Sequence, residues 1–255
     1  LESDKPILTY DRSFEGFLSL VFYIYDKKLT PLKITTEDKG IELFSTSLTH
    51  ITDVRRAERV LAGLTKKSSN QIVRFIYSIF LSELDGVEMK LLHLIRFILD
   101  GKGKKISDFS DPIIVDLHKI KKMINREVHR MHAFVRFQET KDDMWVCEIN
   151  PDFNVLPLIG KHFKDRYPAL EWLIYDTKRV YAIHHKNHEI EFVTIDAINK
   201  TQLIPRDVLT DEELKYQDLW KQYYKSVNIE ERNNDKLHLR HVPKRYWQFL
   251  IEKRS

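Results

Sequence analysis

Apolar spacing changes period partway along this chain. Up to about residue 130 most apolar residues recur every three or four positions. From there to about residue 196 they fall in short runs rich in β-branched and aromatic residues. Phe14, Phe17, Leu18, Val21, Phe22 and Tyr25 form one helical stripe, with Asp11 or Ser13 as its cap. Thr52 or Asp53 opens a second helix carrying Val54, Ala57, Val60, Leu61 and Leu64. Ser69 or Asn70 opens a third, and a fourth follows Asp85-Gly86. These last two, over 71–84 and 88–100, are apolar around more than half their circumference, as in a buried hairpin. Asp111-Pro112 is a cap followed by Pro at the first helical position, and predicts a long helix to about Arg130.

Five strands are then expected: Phe134 to Phe137, Met144 to Ile149, Trp172 to Tyr175, Val180 to His184 and Ile190 to Ile195. A short helix falls between Asn154 and Tyr167. A long helix begins at Asp211, with Leu214, Leu219, Trp220, Tyr223 and Tyr224, and a last helical piece follows Pro243. Ile7 to Tyr10 reads as a strand, and Lys33 to Thr49 as short strands or coil. This segregation predicts an α+β fold: a mainly helical N-terminal half packed with a mostly antiparallel sheet and C-terminal helices. A single domain over 1–255 is expected, with a helical layer at about 11–130, a strand-rich part at about 131–196 and C-terminal helices at about 211–253.

Composition excludes several classes. With 42% hydrophobic and 31% charged residues, the chain is neither collagen-like nor wholly disordered. Cys147 is the only cysteine, so no internal disulfide forms, and a reducing cytoplasmic location is expected. The longest apolar run, Phe17 to Tyr25, is far short of the ~20 residues that span a bilayer, so no membrane association is expected. The opening residues do not read as a secretory leader, and Leu1 in place of Met is expected to reflect N-terminal trimming.

Forty-two Lys and Arg against 38 Asp and Glu give a net charge of only +4, so the local distribution matters more. From Lys119 to Arg136 lie Lys119, Lys121, Lys122, Arg126, Arg130 and Arg136, with Glu127 the one acid. A second cluster holds Lys236, Arg240, Lys244, Arg245, Lys253 and Arg254. Both read equally as solvated faces or as phosphate-binding surfaces.

Gly101-Lys102-Gly103-Lys104 lacks the spacing, the preceding strand and the Ser or Thr of a phosphate loop, and reads as a turn. On a strand, His184 and His188 would share a face with His185 opposite, but no further ligand has the right spacing and no metal site is expected. Glu127 to Phe137 is the densest polar stretch. Glu127 and Arg130 can pair at i, i+3, and His129 with Glu127 are candidate catalytic residues for acid–base chemistry. A helix end tied by ion pairs fits the same residues. Cations interleaved with rings recur in His162-Phe163-Lys164-Asp165-Arg166-Tyr167, in Trp172 to Arg179 and in Pro243-Lys244-Arg245-Tyr246-Trp247. The candidate nucleic-acid contacts are therefore Arg126, Arg130, Arg136, His162, Arg166, Arg179, Lys244, Arg245, Tyr246 and Trp247.

Four patterns carry a resemblance: Tyr10-Asp11 with Phe14-Glu15-Gly16-Phe17; Glu127 and His129-Arg130-Met131 running into Phe134-Val135-Arg136-Phe137; Leu219-Trp220 with Tyr223-Tyr224; and Pro243-Lys244-Arg245-Tyr246-Trp247. Weaker matches are Asn150-Pro151-Asp152, His162-Phe163 with Arg166, and Trp172. Together they resemble, over nearly the whole chain, the bacterial family labelled "probable DNA metabolism protein". The domain in that family is often encoded beside a radical SAM protein of DNA modification or repair, and is sometimes fused to a uracil-DNA glycosylase-like domain. The resemblance implies a DNA-repair context, with DNA and a radical SAM protein as partners, and no established chemistry. This chain shows no glycosylase motifs and has no three-Cys cluster, so no cofactor is expected on it. Many relatives carry Asn-Pro-Ala-Arg after the paired tyrosines; here the stretch is Ile229-Glu230-Glu231-Arg232. Three roles are implied: a DNA-binding accessory protein, an enzyme acting on nucleic acid or a nucleotide, and a non-catalytic scaffold for the radical SAM partner.

Overall fold

The computed structural model describes residues 5–36, 47–102, 109–194, 204–227 and 235–253. Arg254, the Ile229–Arg232 stretch, Ile195, the tip Gly103–Lys105 and positions 37–46 lie outside the described residues, as does the side chain of Lys236. By its internal contacts the chain divides into two compact units, 1–125 and 126–255.

The first unit is built on a short parallel sheet. Strand β1 (Ile7–Tyr10) is buried at all four positions, as a central strand covered on both faces must be. Helix α1 (Phe14–Asp26) carries the chain to β2 (Lys33–Thr36), and β3 (Ser47–Thr49) lies on the other side of β1. Both neighbours pair with β1 in parallel, Leu8 facing Ile34 and Leu48. Ser13 is the cap of α1, its Oγ accepting from the Gly16 N–H at 2.8 Å. Asp11 accepts from Ser13 and from the Thr52 hydroxyl. A Cβ on Gly16 would run into the Asp11 carboxylate and both of those hydroxyls, so only glycine fits there.

Helices α2 (Val54–Lys67), α3 (Asn70–Phe80) and α4 (Val87–Phe97) follow, α2 capped by Asp53. Between α3 and α4, Gly86 takes the left-handed conformation (φ 72°) that the turn demands. Phe14 meets Tyr77 and Phe80 at 5.0 and 5.2 Å, and Phe17 stacks on Phe80. The buried Tyr10 hydroxyl donates to Glu88 at the start of α4.

Helix α5 (Pro112–Phe134) begins in the first unit and ends in the second. It runs past the expected end at Arg130 to Phe134, and Val135 to Phe137, expected to continue a strand from Phe134, are neither helical nor paired in a sheet. Ile120, Ile124, Glu127 and Met131 continue one buried stripe at spacings of three and four, which keeps the backbone helical. Pairing starts only at β4 (Gln138–Glu139).

The second unit holds a five-stranded sheet in sequential order β4-β5-β6-β7-β8, with β5 (Trp145–Ile149), β6 (Trp172–Asp176), β7 (Tyr181–Lys186) and β8 (Glu189–Thr194). Three of its pairs are antiparallel, while β5 and β6 are parallel. The exception has a physical cause: helix α6 (Leu156–Arg166) lies between those strands and makes the connection a crossover. The sheet is thus mostly antiparallel, and the N-terminal sheet is wholly parallel. At the β7–β8 turn Asn187 and His188 both have positive φ (51° and 63°), as a two-residue hairpin of this kind requires. Trp172 lies fully buried beside Phe137 and Phe163. Helices α7 (Asp211–Ser226) and α8 (Asp235–His241) and the 3-10 segments Lys244–Phe249 and Ile251–Lys253 complete the unit. No helix among the described residues is long and apolar enough to cross a membrane.

Candidate functional site

One polar cluster in the second unit joins the end of α5 to the segment after Pro243. The buried stripe of α5 carries a carboxylate, Glu127, only 2% exposed. Its Oε1 accepts from the Tyr246 hydroxyl at 2.6 Å and from the Asp152 N–H at 2.9 Å. Its Oε2 accepts from Arg245 Nη2 at 3.1 Å, with Arg130 Nη1 at 3.7 Å. Arg245 also reaches Asp152 Oδ2 at 2.7 Å, donates to the Tyr246 oxygen, and lies 4.5 Å from that ring's centroid. Tyr246 is buried, and burial, reinforced by the negative Glu127, pushes its phenol well above the usual range. It therefore remains a proton donor, holding a carboxylate that burial would otherwise make costly.

The loop after β5 ties this cluster to a second one. Arg179 donates to the carbonyls of Pro151 and Asp152, and Lys178 Nζ to that of Asp152 at 2.9 Å. Arg179 also pairs with the fully buried Asp176 at 2.9 Å. Asp176 accepts the backbone N–H groups of Lys178 and Arg179, so the β6–β7 turn is wound around its carboxylate. Burial raises the Asp176 pKa, with Arg179 opposing it. Val180, next in the turn, has φ 58°, a conformation that a β-branched residue adopts only under strain. Backbone strain is thus stored where Arg179 is aimed.

These contacts sort the expected site residues. Arg130, Arg179, Arg245 and Tyr246 converge around Glu127, Asp152 and Asp176. Arg126 is exposed on α5 and has no ion-pair partner among the described residues. His129 is exposed, and Glu127 spends its hydrogen bonds on Tyr246, Asp152 and Arg245. Two positions apart on a helix, His129 and Glu127 point about 200° apart around the axis, so they do not form an acid–base pair. Arg136 folds back on the end of α5, donating to the carbonyls of Ala133 and Val135 at 2.6 and 3.1 Å.

His162 stacks on His132 at 3.9 Å and meets Phe163 edge-on. Arg166 is exposed over the Tyr167 ring. Lys244 lies 6.0 Å and Lys253 5.2 Å from the half-buried Trp247, whose indole N–H donates to the Val242 carbonyl. Tyr246 is buried, and the Trp247 ring already has His238 at 5.7 Å and the Lys244 and Lys253 ammonium groups against it, so neither is a free stacking platform. Asp152, Asp176 and Lys178 were not among the expected site residues. The run Asp176-Thr177-Lys178-Arg179 is a turn signature whose aspartate can accept the following N–H groups, and that was the available signal.

The histidines at 184–188 separate rather than converge. The hairpin turn breaks the face that His184 and His188 would share. His184 bonds Glu171 at 2.9 Å, while His185 is buried against Trp172 with Nδ1 on the Leu170 carbonyl. Among the described residues no group of three or more His, Cys, Asp or Glu could hold a metal ion.

No curated protein matches this chain. A family model does, over residues 85–252: it takes in the α5, α7 and Pro243–Trp247 motifs and leaves Tyr10 to Phe17 outside. The chain therefore belongs to the family described as "Domain of unknown function (DUF4130)".

Proposed function

We propose that this protein is an accessory factor of DNA metabolism whose second unit binds nucleic acid along the α5 end and the Lys244–Trp247 segment. The observation that carries the reading is the Glu127 junction, which ties together two cation-rich stretches 118 positions apart through Arg245. Within this frame the buried carboxylates neutralise Arg245 and Arg179, while Arg126 and Lys244 remain exposed at its edges. Fixed, paired guanidinium groups set geometry, and unpaired cations supply phosphate attraction. The resemblance to DNA metabolism proteins adds the context, and a radical SAM protein is the partner it implies. The acid–base reading lacks a geometric basis, because Glu127 faces Tyr246 and Arg245 rather than His129.

Fluorescence anisotropy with single- and double-stranded DNA across a salt series tests this proposal. Binding is expected at low salt, with an affinity that falls linearly in log–log form as salt rises. No binding at low salt, or binding without a salt slope, overturns it.

A further inference from the structure

Helix α7 is mounted in an unusual way. Its inward side is mixed rather than apolar: buried Glu213 accepts the Glu139 N–H at 3.4 Å and Gln217 donates to Gln138 at 3.1 Å, beside half-buried Leu214 and Tyr224. Its outward side is apolar: Tyr216, Leu219, Trp220 and Tyr223 are 69%, 58%, 41% and 57% exposed. Spaced at i, i+3, i+4 and i+7, they fall within an arc of about 100°. A helix on the outside of a single copy ordinarily shows the reverse arrangement. The Trp220 indole donates to Glu252 at 3.0 Å, and its ring lies 5.7 Å from that of Tyr223, so the stripe is held in shape.

We propose that α7 packs antiparallel against α7 of a second copy of this chain, through Tyr216, Leu219, Trp220 and Tyr223. The helix dipole sets the orientation: antiparallel pairing opposes the two dipoles, and parallel pairing would set like ends together. Area sets the choice of occupant. The stripe exposes roughly 500 Å², so two copies would bury about 1,000 Å², the lower limit for a specific interface. The pairing is two-fold and closes on itself, giving a dimer and no larger assembly.

Sedimentation equilibrium on the full chain, up to roughly 200 µM, is the first test. The average mass is expected to rise from 30.5 kDa toward twice that value, with a dissociation constant on the order of 10–100 µM. Leu219→Glu with Tyr223→Glu is expected to weaken association at least about tenfold with an unchanged circular-dichroism spectrum, since exposed positions rarely affect the fold. A chain that stays monomeric throughout, or an association these substitutions leave intact, overturns the proposal.

Orientation has its own test, independent of those variants. In an antiparallel pair centred on Leu219 and Trp220, Tyr216 faces Tyr223 of the second copy. Cys147 is buried, so an introduced surface cysteine reacts alone. A short bis-maleimide should join a mixture of Tyr216→Cys and Tyr223→Cys chains far more than either variant by itself. Preferential self-joining of each variant would mean parallel pairing and would also overturn the proposal.

Discussion

Glu127 shows what a single buried charge demands of its neighbours. At 2% exposure its oxygens are out of reach of water, and they are held instead by a phenol, a backbone N–H and a guanidinium. Removing it leaves the Tyr246 hydroxyl and the Asp152 N–H without their acceptor, and Arg245 with Asp152 as its remaining carboxylate. Glu127→Ala should therefore destabilise the second unit by about 2–4 kcal/mol. Glu127→Gln keeps an acceptor for Tyr246 and Asp152 and should cost less, while Tyr246→Phe should cost about 1–3 kcal/mol by removing one donor. Urea unfolding of the three variants checks the order; an alanine variant as stable as the wild type would show that the cluster contributes nothing. His132 makes a pH argument of the same kind. Burial lowers its pKa below the ordinary 6.5, with the nearby His162 and His129 adding to the effect. The unfolded chain then binds the proton more readily than the folded one, so the neutral-histidine stability is complete above about pH 6.5 and is lost as pH falls toward the lower folded pKa. His132→Phe keeps a ring on His162 and removes the titrating group. Its urea midpoint should fall less between pH 7.5 and 5.5 than that of the wild type, while at pH 7.5 the two should be close.

At the scale of elements, the β6–β7 turn sets Arg179 at the expense of Val180. A β-branched residue at φ 58° costs about 1–3 kcal/mol, and asparagine tolerates that conformation far better. Val180→Asn should therefore raise the urea midpoint, by about 1 kcal/mol of stability, with Val180→Gly gaining less because glycine also loosens the unfolded chain. A lower midpoint in both would mean that the valine side chain contributes more by packing than its backbone costs. Periodicity and capping chemistry made most helices legible: the stripe from Phe14 to Tyr25, the Asp53 cap and the Asp111-Pro112 start each have a local cause. Where α5 ends did not. Phe134 to Phe137 is rich in strand-forming residues, and only the continuing burial of Met131 under tertiary contacts keeps the helix going to Phe134. The parallel β5–β6 pair was hidden for a similar reason. Strand runs in sequence suggest hairpins, and the crossover depends on α6 being long enough to carry the chain back.

For the molecule as a whole, what the sequence could not reveal was which cations are neutralised. The list from Arg126 to Trp247 was readable as composition. That Arg245 finds Glu127 118 positions away, and that Arg179 finds buried Asp176, depends on the fold. This distinction makes the nucleic-acid reading quantitative. A cation already held between two carboxylates, as Arg245 is between Glu127 and Asp152, carries little net positive field into solvent. An exposed cation with no acid beside it displaces about one condensed counterion from DNA, which is worth nearly one unit of slope in log affinity against log salt. Arg126→Ala should therefore reduce that slope by close to one unit and weaken binding to all duplex sequences alike, and Lys244→Ala should do the same. Arg245→Ala should change the slope much less, while costing stability through the Glu127 it leaves behind. Anisotropy titrations from about 25 to 300 mM salt on the three variants, each with its urea midpoint measured, separate the two effects. Equal slope losses for Arg126 and Arg245 would mean that pairing inside the cluster does not govern its charge, and the surface would need to be redrawn around the carboxylates instead.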